Sequence, residues 1–147
     1  MRITKQQILR TAADMADQGG LAAVSLKAVA AALGIRTPSL YNHIDSLDGL
    51  LREVAHTGMR AMNEQMAQAA IGVAGDAALR AAGVAYLRFA AAHPGVYEAI
   101  QWAGWHQSGE TAQLLSDYHA LVQRLVRSCT VRVNDTAPLV RLLAGFL

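Results

Sequence analysis

The chain has 147 residues, of which 53% are hydrophobic and 16% are charged, and its formal net charge at pH 7 is +2. This composition favours an ordered globular protein with a substantial core. Because alanine dominates and β-branched runs are scarce, we expect helices throughout. A net charge this small does not by itself indicate a protein that binds nucleic acid.

Other features of the sequence argue against secretion and membrane crossing. No apolar stretch reaches about 18 residues without a polar break, so no membrane span is expected. The chain begins with a polar helix start, in which Thr4 and Gln7 have the spacing of a capping box, so no signal peptide is expected. Cys129 is the single cysteine and cannot form an internal disulfide, which indicates a reducing cytoplasm.

The segment from Ser25 to Ile44 predicts two short helices joined by a glycine turn. Ser25 is a good N-cap, and Gly34 supplies the left-handed residue that ends the first of these helices. The apolar stripe of this helix has helical spacing and consists of Leu26, Val29, Ala30 and Leu33.

The second of these helices begins at Thr37, predicted as its N-cap, with Pro38 at the first helical position. At about 100° per residue Leu40 and Ile44 share one face, while Asn42 points the opposite way. The polar face also carries Pro38, Ser39, Tyr41 and His43.

This arrangement indicates a helix-turn-helix, whose second helix enters the DNA major groove. Thr37, Ser39 and Tyr41 can donate hydrogen bonds to phosphate, and Asn42 has the donor and acceptor needed to read adenine. Spacing alone leaves open an ordinary pair of packed helices with a polar solvent face.

The first fifty or so residues resemble the TetR family of bacterial transcription regulators. The resemblance rests on a first helix from about Thr4 to Gln18, the Gly19-Gly20 break and the core L-x-x-V-A-x-x-L-G-I-x-x-P-S-L-Y-x-H. It implies that Tyr41 and His43 hold phosphates and that Thr37, Ser39 and Asn42 lie nearest the bases. The DNA-contacting positions implied by the resemblance are Lys27, Thr37, Pro38, Ser39, Tyr41, Asn42 and His43.

The chain departs from the family just after this motif. Family members often carry lysines there, whereas this chain has Asp45, Ser46, Leu47 and Asp48. The acids are predicted to cap the fourth helix and suit its dipole, but they remove a phosphate contact. Residues 1–44 still contain five basic and two acidic side chains, which fits a DNA-binding end joined to a neutral body.

The remaining residues predict further helices. The fourth runs from about Ser46 to Ala70 and is followed by breaks at Gly72 and Gly75. Asp76 is predicted to cap the fifth, with an inward face of Leu79, Gly83, Tyr86, Leu87 and Ala90. That helix ends at His93-Pro94-Gly95.

A short sixth helix is predicted toward Trp102, then a loop from Gly104 to Gly109 and a seventh helix from about Glu110 to Arg127. A last helix is predicted from near Asp135 or Thr136. Its apolar stripe, Leu139–Phe146, stops without a cap, so we expect the chain to continue further. By the family resemblance, this stripe belongs to a homodimer interface.

Aromatic, methionine and histidine side chains cluster in the body. They can line an apolar pocket, and the family resemblance implies an unknown small-molecule effector there; the alternative is simple core packing. The stretch around Trp105 also resembles a TetR subset with a tryptophan- and histidine-containing C-terminal domain. The candidate pocket residues are Met59, Met62, Tyr86, Tyr97, Trp102, Trp105, His106 and Tyr118.

An enzyme would need His106 with Asp117 or His119, or Cys129 with a histidine. No H-x-x-x-H or C-x-x-C spacing exists, and Asp117 and His119 face different sides of a helix. We therefore expect no catalysis, no metal and no cofactor. A constitutive or architectural DNA-binding protein without an effector shares the same head and remains open.

The sequence therefore predicts an all-α protein with a three-helix head, residues 1–46, and a helical effector-binding and dimerisation body, residues 47–147. We expect a cytoplasmic, dimeric, ligand-responsive repressor that binds a palindromic double-stranded DNA operator and no membrane.

Overall fold

The computed structural model describes residues 2–105 and 108–129, and in these residues every regular element is helical. The elements are α1 (Lys5–Gly19), a 3-10 turn (Leu21–Ala23), α2 (Leu26–Ala32), α3 (Thr37–Leu40), α4 (Leu47–Ala69), α5 (Gly75–Ala92), α6 (Pro94–Trp105) and α7 (Gly109–Arg127). The all-α prediction is confirmed. The predicted last helix, with its Leu139–Phe146 stripe, lies outside the described residues.

Local capping chemistry fixes the head largely as predicted. The Thr4 hydroxyl accepts the Gln7 amide at 3.2 Å while the Thr4 amide donates to the Gln7 side chain at 2.8 Å, which completes the capping box. Ser25 accepts the Ala28 amide at 3.1 Å and so caps α2. Gly34 has φ +68°, the left-handed conformation that the turn requires.

The start of α3 differs from the prediction. Arg36, not Thr37, is the cap residue, and no side chain caps the helix. Thr37 is already helical, because the Ser39 amide that a Thr37 cap would bind donates instead to the Arg36 carbonyl at 2.9 Å. The helix is only four residues long and continues as a turn through residues 41–43.

The cap of α4 is also corrected. The Ser46 hydroxyl accepts the Gly49 amide at 3.0 Å and caps the helix. Asp48 lies in the first turn, where it suits the helix dipole, and Asp45 precedes the cap. The acids predicted to cap α4 therefore flank a serine cap.

The start of α5 and part of its inward face were predicted wrongly, although Leu79 and Tyr86 do pack partly buried against the core. The cap residue is Ala74, and Asp76 is the second helical residue. The buried residues are Ala78, Ala82 and Phe89, whereas Leu87 is 65% exposed and Gly83 is exposed. Small alanines let α5 approach its neighbours closely, so the face that carries them turns inward.

The region between α6 and α7 is more helical than predicted. Helix α6 extends to Trp105, and α7 begins at Gly109 after Ser108, which accepts the Thr111 amide at 3.3 Å. Of the residues predicted to form a loop, Gly104, Trp105 and Gly109 are therefore helical.

Helix α4 organises the molecule. It packs against α1 in the head and against α5, α6 and α7 in the body. One hydrophobic cluster extends along it from Ile8 in α1 to Val126 in α7. Within the described part of the chain, no helix combines the length and apolarity that a bilayer crossing requires.

Candidate nucleic-acid interface

The exposed face of the head is built around two buried anchors. Leu40 and Ile44 are 0% and 4% exposed and fix α3 and its following turn on the head. The seven residues implied as DNA contacts stay at or near the surface. Lys27, Pro38, Ser39, Tyr41 and Asn42 are exposed, and Thr37 and His43 are half-buried.

A recess of about 420 Å³ brings part of this set together. Ser39, Asn42 and His43 line it, together with Ile3 and Ile35. The recess therefore combines a hydroxyl, an amide and an imidazole over an apolar base. These groups can meet base edges and phosphates, whereas Lys27, Thr37, Pro38 and Tyr41 lie outside the recess.

Arg2 also lines this recess, although from the sequence it was predicted only to add to the positive charge of the head. Its guanidinium can form bidentate hydrogen bonds with phosphate or guanine. A basic residue just before the capped start of α1 was the signal that could have indicated it.

The charge of this face comes from a few exposed cations. Arg2, Lys27 and Arg36 are exposed and form no ion pair with another described residue. Lys5, by contrast, is paired with Glu53 at 2.8 Å. The face is therefore moderately cationic.

A second candidate site is an apolar groove on the body, with a volume of about 310 Å³. Its walls come from α4, α5 and α7. The groove residues are Met66, Leu79, Ala82, Gly83, Tyr86, Leu87, Tyr118, Val122 and Leu125. None of them is charged, so the groove suits an uncharged apolar ligand.

Only two of the candidate pocket residues, Tyr86 and Tyr118, line this groove. Met59 and Met62 are at most 1% exposed in the core. Trp102 lies elsewhere, with the Arg52 guanidinium 5.7 Å from its ring centroid. His106 and the side chain of Trp105 lie outside the described residues.

Tyr97 stands behind the groove wall. Its hydroxyl lies 2.7 Å from that of Tyr86, and the two rings are edge-to-face at 6.0 Å. Burial raises the pKa of Tyr118 to about 12 and also raises the pKa of Tyr86, which in addition bonds to Tyr97. The hydroxyls of Tyr86 and Tyr118 are therefore neutral at physiological pH.

The other residues of the groove wall were not predicted as ligand-binding residues from the sequence. Leu79, Gly83 and Leu87 were predicted to be inward-facing, but they form a second stripe of α5 beside its buried alanines. Two adjacent stripes on one helix, one of alanines and one of larger apolar side chains, were the available signal.

A polar cluster joins α4 to the start of α7. The buried His56 ring contacts the Thr111 hydroxyl at 2.8 Å through Nε2 and the Glu110 carboxylate at 3.3 Å through Nδ1, and Arg60 also pairs with Glu110. Burial lowers the pKa of His56. No group of three or more potential metal ligands occurs among residues 2–105 and 108–129.

Two family models match the chain. The model for bacterial regulatory proteins of the tetR family matches residues 8–54, which contain most of α1, all of α2 and α3, and the start of α4. The model for the tetracyclin repressor-like C-terminal domain matches residues 79–147.

Two curated relatives are similar to the chain. The uncharacterized HTH-type transcriptional regulator YobS of Bacillus subtilis is 40% identical over 97 residues, which are 66% of this chain and 51% of YobS. The uncharacterized HTH-type transcriptional regulator Rv0681 of Mycobacterium tuberculosis is 33% identical over 99 residues, which are 67% of this chain and 45% of that protein. The chain thus spans about half the length of these relatives.

Solved structures share the fold. The TetR family transcriptional regulator PfmR from Thermus thermophilus superposes with a TM-score of 0.68 at 22% identity, covering 82% of this chain and 69% of PfmR. A protein with unknown function from a Rhodococcus species superposes with a TM-score of 0.67 at 22% identity, covering 86% of this chain and 66% of that one.

Proposed function

The chain belongs to the TetR family of bacterial regulatory proteins, and from this premise we propose that it is a ligand-responsive repressor that binds a palindromic operator as a homodimer. The observation that carries the proposal is the head surface. Leu40 and Ile44 are buried, which leaves the polar side chains of α3 and its turn facing outward beside exposed cations. We place its site of action in the cytoplasm, where the DNA is.

Each residue of the head face has a distinct part in the proposal. Ser39 and Asn42 share a recess with Arg2, so these three are positioned to meet base edges and nearby phosphates. Tyr41, 56% exposed, and the exposed Lys27 contact the phosphate backbone. Binding through two heads sets the spacing of the operator half-sites.

The groove of the body is the proposed effector site. Its walls are uncharged and its tyrosine hydroxyls stay neutral, which favours a small, apolar, uncharged effector. The effector acts by preferring the state that does not bind DNA. About 3 kcal/mol of differential affinity changes operator affinity about 150-fold. Helix α4 links the two regions, because it packs against α1 and also forms part of the groove through Met66.

The test is selection of bound fragments from a random DNA pool by the full chain, repeated with a set of neutral apolar metabolites. We expect a palindromic consensus that is lost with at least one metabolite. Asn42→Ala is expected to change the consensus, and Gln123→Ala, an exposed amide on α7, serves as its matched control.

Recovery of no consensus contradicts the proposal of operator binding. A consensus that no metabolite weakens favours the constitutive or architectural alternative. A consensus without two-fold symmetry contradicts the proposed dimeric mode.

A further inference from the structure

The end of α1 supplies the cap of α6. Oδ1 of Asp17 accepts the backbone amides of Gly95 and Val96, both at 2.9 Å, and Oδ2 lies 3.0 Å from Nδ1 of His93. Because Pro94 has no N–H, these two amides are the first free donors of α6. A carboxylate from the head therefore satisfies the donors that a neighbouring side chain normally caps.

The same turn of α6 fits closely against the head backbone. Gly95 is buried, and a Cβ atom there would overlap the carbonyl group of Ala16. One turn further along, the Glu98 carboxylate accepts the Leu21 amide at 2.8 Å. The head thus contacts the first turn of α6 through residues on both sides of Gly20: Asp17 at the end of α1 and Leu21 after it.

The first turn of α6 also reaches the wall of the groove. Tyr97 lies between the residues that contact the head, and its hydroxyl bonds to that of Tyr86 at 2.7 Å. Tyr86 lines the groove and stacks obliquely near Tyr118, with ring centroids 6.5 Å apart. Within residues 95–98 of α6, Gly95, Val96 and Glu98 therefore contact the head, and Tyr97 contacts the groove wall.

We propose that this first turn of α6 transmits occupancy of the groove to the head, through the Tyr86–Tyr97 hydrogen bond on one side and the Asp17 cap on the other. The inference deepens the proposed function, because it assumes that the groove is the regulatory site. Displacement of Tyr86 shifts Tyr97, and α6 carries the shift to Asp17. Asp17 and Tyr97 are then positioning residues for the head.

The experiment measures the distance between head and body without DNA. Spin labels are placed at Ala31→Cys in α2 and Ala120→Cys in α7, both exposed, in a Cys129→Ser background. The labelled chains are diluted with an excess of unlabelled chain, so that only the distance within one protomer is measured. We expect one narrow distance in the parent and a shift or broadening of about 1–2 Å in Asp17→Ala. Asp14→Ala, an exposed carboxylate one turn earlier on α1, is the matched control and leaves the distance unchanged.

Asp17→Asn tests the cap of α6 independently of the contact between the Asp17 carboxylate and His93. Asparagine caps helices as well as aspartate does, so its oxygen keeps the two amide bonds. We expect the distance to stay close to the parent value. Because this variant preserves the cap, it also provides a folded reference if Asp17→Ala is destabilised, and thermal unfolding of both variants identifies that case.

A bulky substitution serves as a surrogate for the effector. A Cβ atom on Gly83 meets nothing within 4 Å, so Gly83→Phe places a ring in the groove without a clash at its base. We expect it to shift the head-to-body distance by about 1–2 Å in the parent, and to have no such effect when combined with Tyr97→Phe or Asp17→Ala.

The proposal is overturned if Gly83→Phe leaves the distance unchanged in the parent. It is also overturned if Gly83→Phe still shifts the distance when combined with Tyr97→Phe and when combined with Asp17→Ala. Neither result depends on DNA. A failure to select an operator therefore counts against the proposed function alone, and these distance measurements count for or against the α6 link alone.

Discussion

The head face and the body groove differ in where their residues come from. The head face is made mainly within Ser25–Ile44, where two short helices and one glycine turn follow each other directly, with Arg2 added from just before α1. The groove gathers residues from three helices, from Met66 in α4 to Leu125 in α7. A surface made by neighbours in sequence is set by caps and turns, whereas a surface made by distant helices is set by which faces pack. This difference can be tested with substitutions in each region.

The largest effect is expected from a pair of leucines that both occupy predicted inward positions. Leu40 in the head is fully buried, whereas Leu87 in the body is 65% exposed. Leu40→Ala is expected to lower the free energy of unfolding by about 2–5 kcal/mol, because it leaves a cavity beneath α3. Leu87→Ala is expected to stay within about 0.5 kcal/mol. Chemical denaturation of both variants measures the difference, and equal losses would show that Leu87 is buried in solution.

These two leucines show what the sequence could predict. Around Leu40 the cap at Ser25, the turn at Gly34 and the apolar spacing all act within a few residues, so the head was predicted almost in full. The one-residue error at Thr37 arose because the first-turn amide of Ser39 bonds to the Arg36 carbonyl. Backbone bonds of this kind compete with side-chain caps and are not visible in the sequence.

The body was predicted less well for a different physical reason. Helix α5 has one apolar stripe of alanines that ends in Phe89 and another stripe of larger apolar residues, and the second stripe suggested the buried face. Close approach to neighbouring helices selected the side of Ala78 and Ala82 instead. Hydrophobicity alone does not decide between two such stripes, because the depth of packing depends on side-chain size. The cap of α6 by Asp17 likewise joins residues almost eighty positions apart.

A pair of glycines tests the close junction between the two regions. Gly95→Ala is expected to cost about 1–3 kcal/mol of unfolding free energy, because its Cβ would overlap the backbone of Ala16 and force α1 and α6 apart. Gly83→Ala, in an open position of α5, is expected to stabilise the protein by up to about 1 kcal/mol. Thermal and chemical unfolding of both variants measures the signs, and a stabilising Gly95→Ala would mean that the helices are not in close contact.

The head face is tested by two neighbouring residues with different proposed partners. Asn42→Ala is expected to relax base preference at one operator position by about 1–3 kcal/mol, because its amide is proposed to read adenine. Tyr41→Phe removes a hydroxyl proposed to hold phosphate, so it is expected to weaken binding to all sequences equally. Binding to a randomised operator library distinguishes these effects. An unchanged preference in Asn42→Ala, or a changed one in Tyr41→Phe, would reverse the assignments.

A pH-dependent difference is expected in the body. Burial lowers the pKa of folded His56 below its ordinary value of 6.5. Below that pH the unfolded chain binds the proton more readily, so the free energy of unfolding falls, by at most about 1.4 kcal/mol per pH unit. Denaturation of the parent and of His56→Gln across this range measures the contribution. The variant is expected to show a shallower slope, and an unchanged slope would assign the pH dependence to other groups.

The smallest effect concerns the cap of α4, where the head passes into the body. Ser46→Ala removes the side-chain bond to the Gly49 amide and is expected to cost about 1 kcal/mol of unfolding free energy. Asp48→Asn removes only a charge in the first turn and is expected to cost about 0.3–1 kcal/mol, less at high salt. Ser116→Ala on the exposed side of α7 is the control. If Asp48→Asn costs more than Ser46→Ala at low salt, the acids rather than the serine secure this helix start, as the sequence alone suggested.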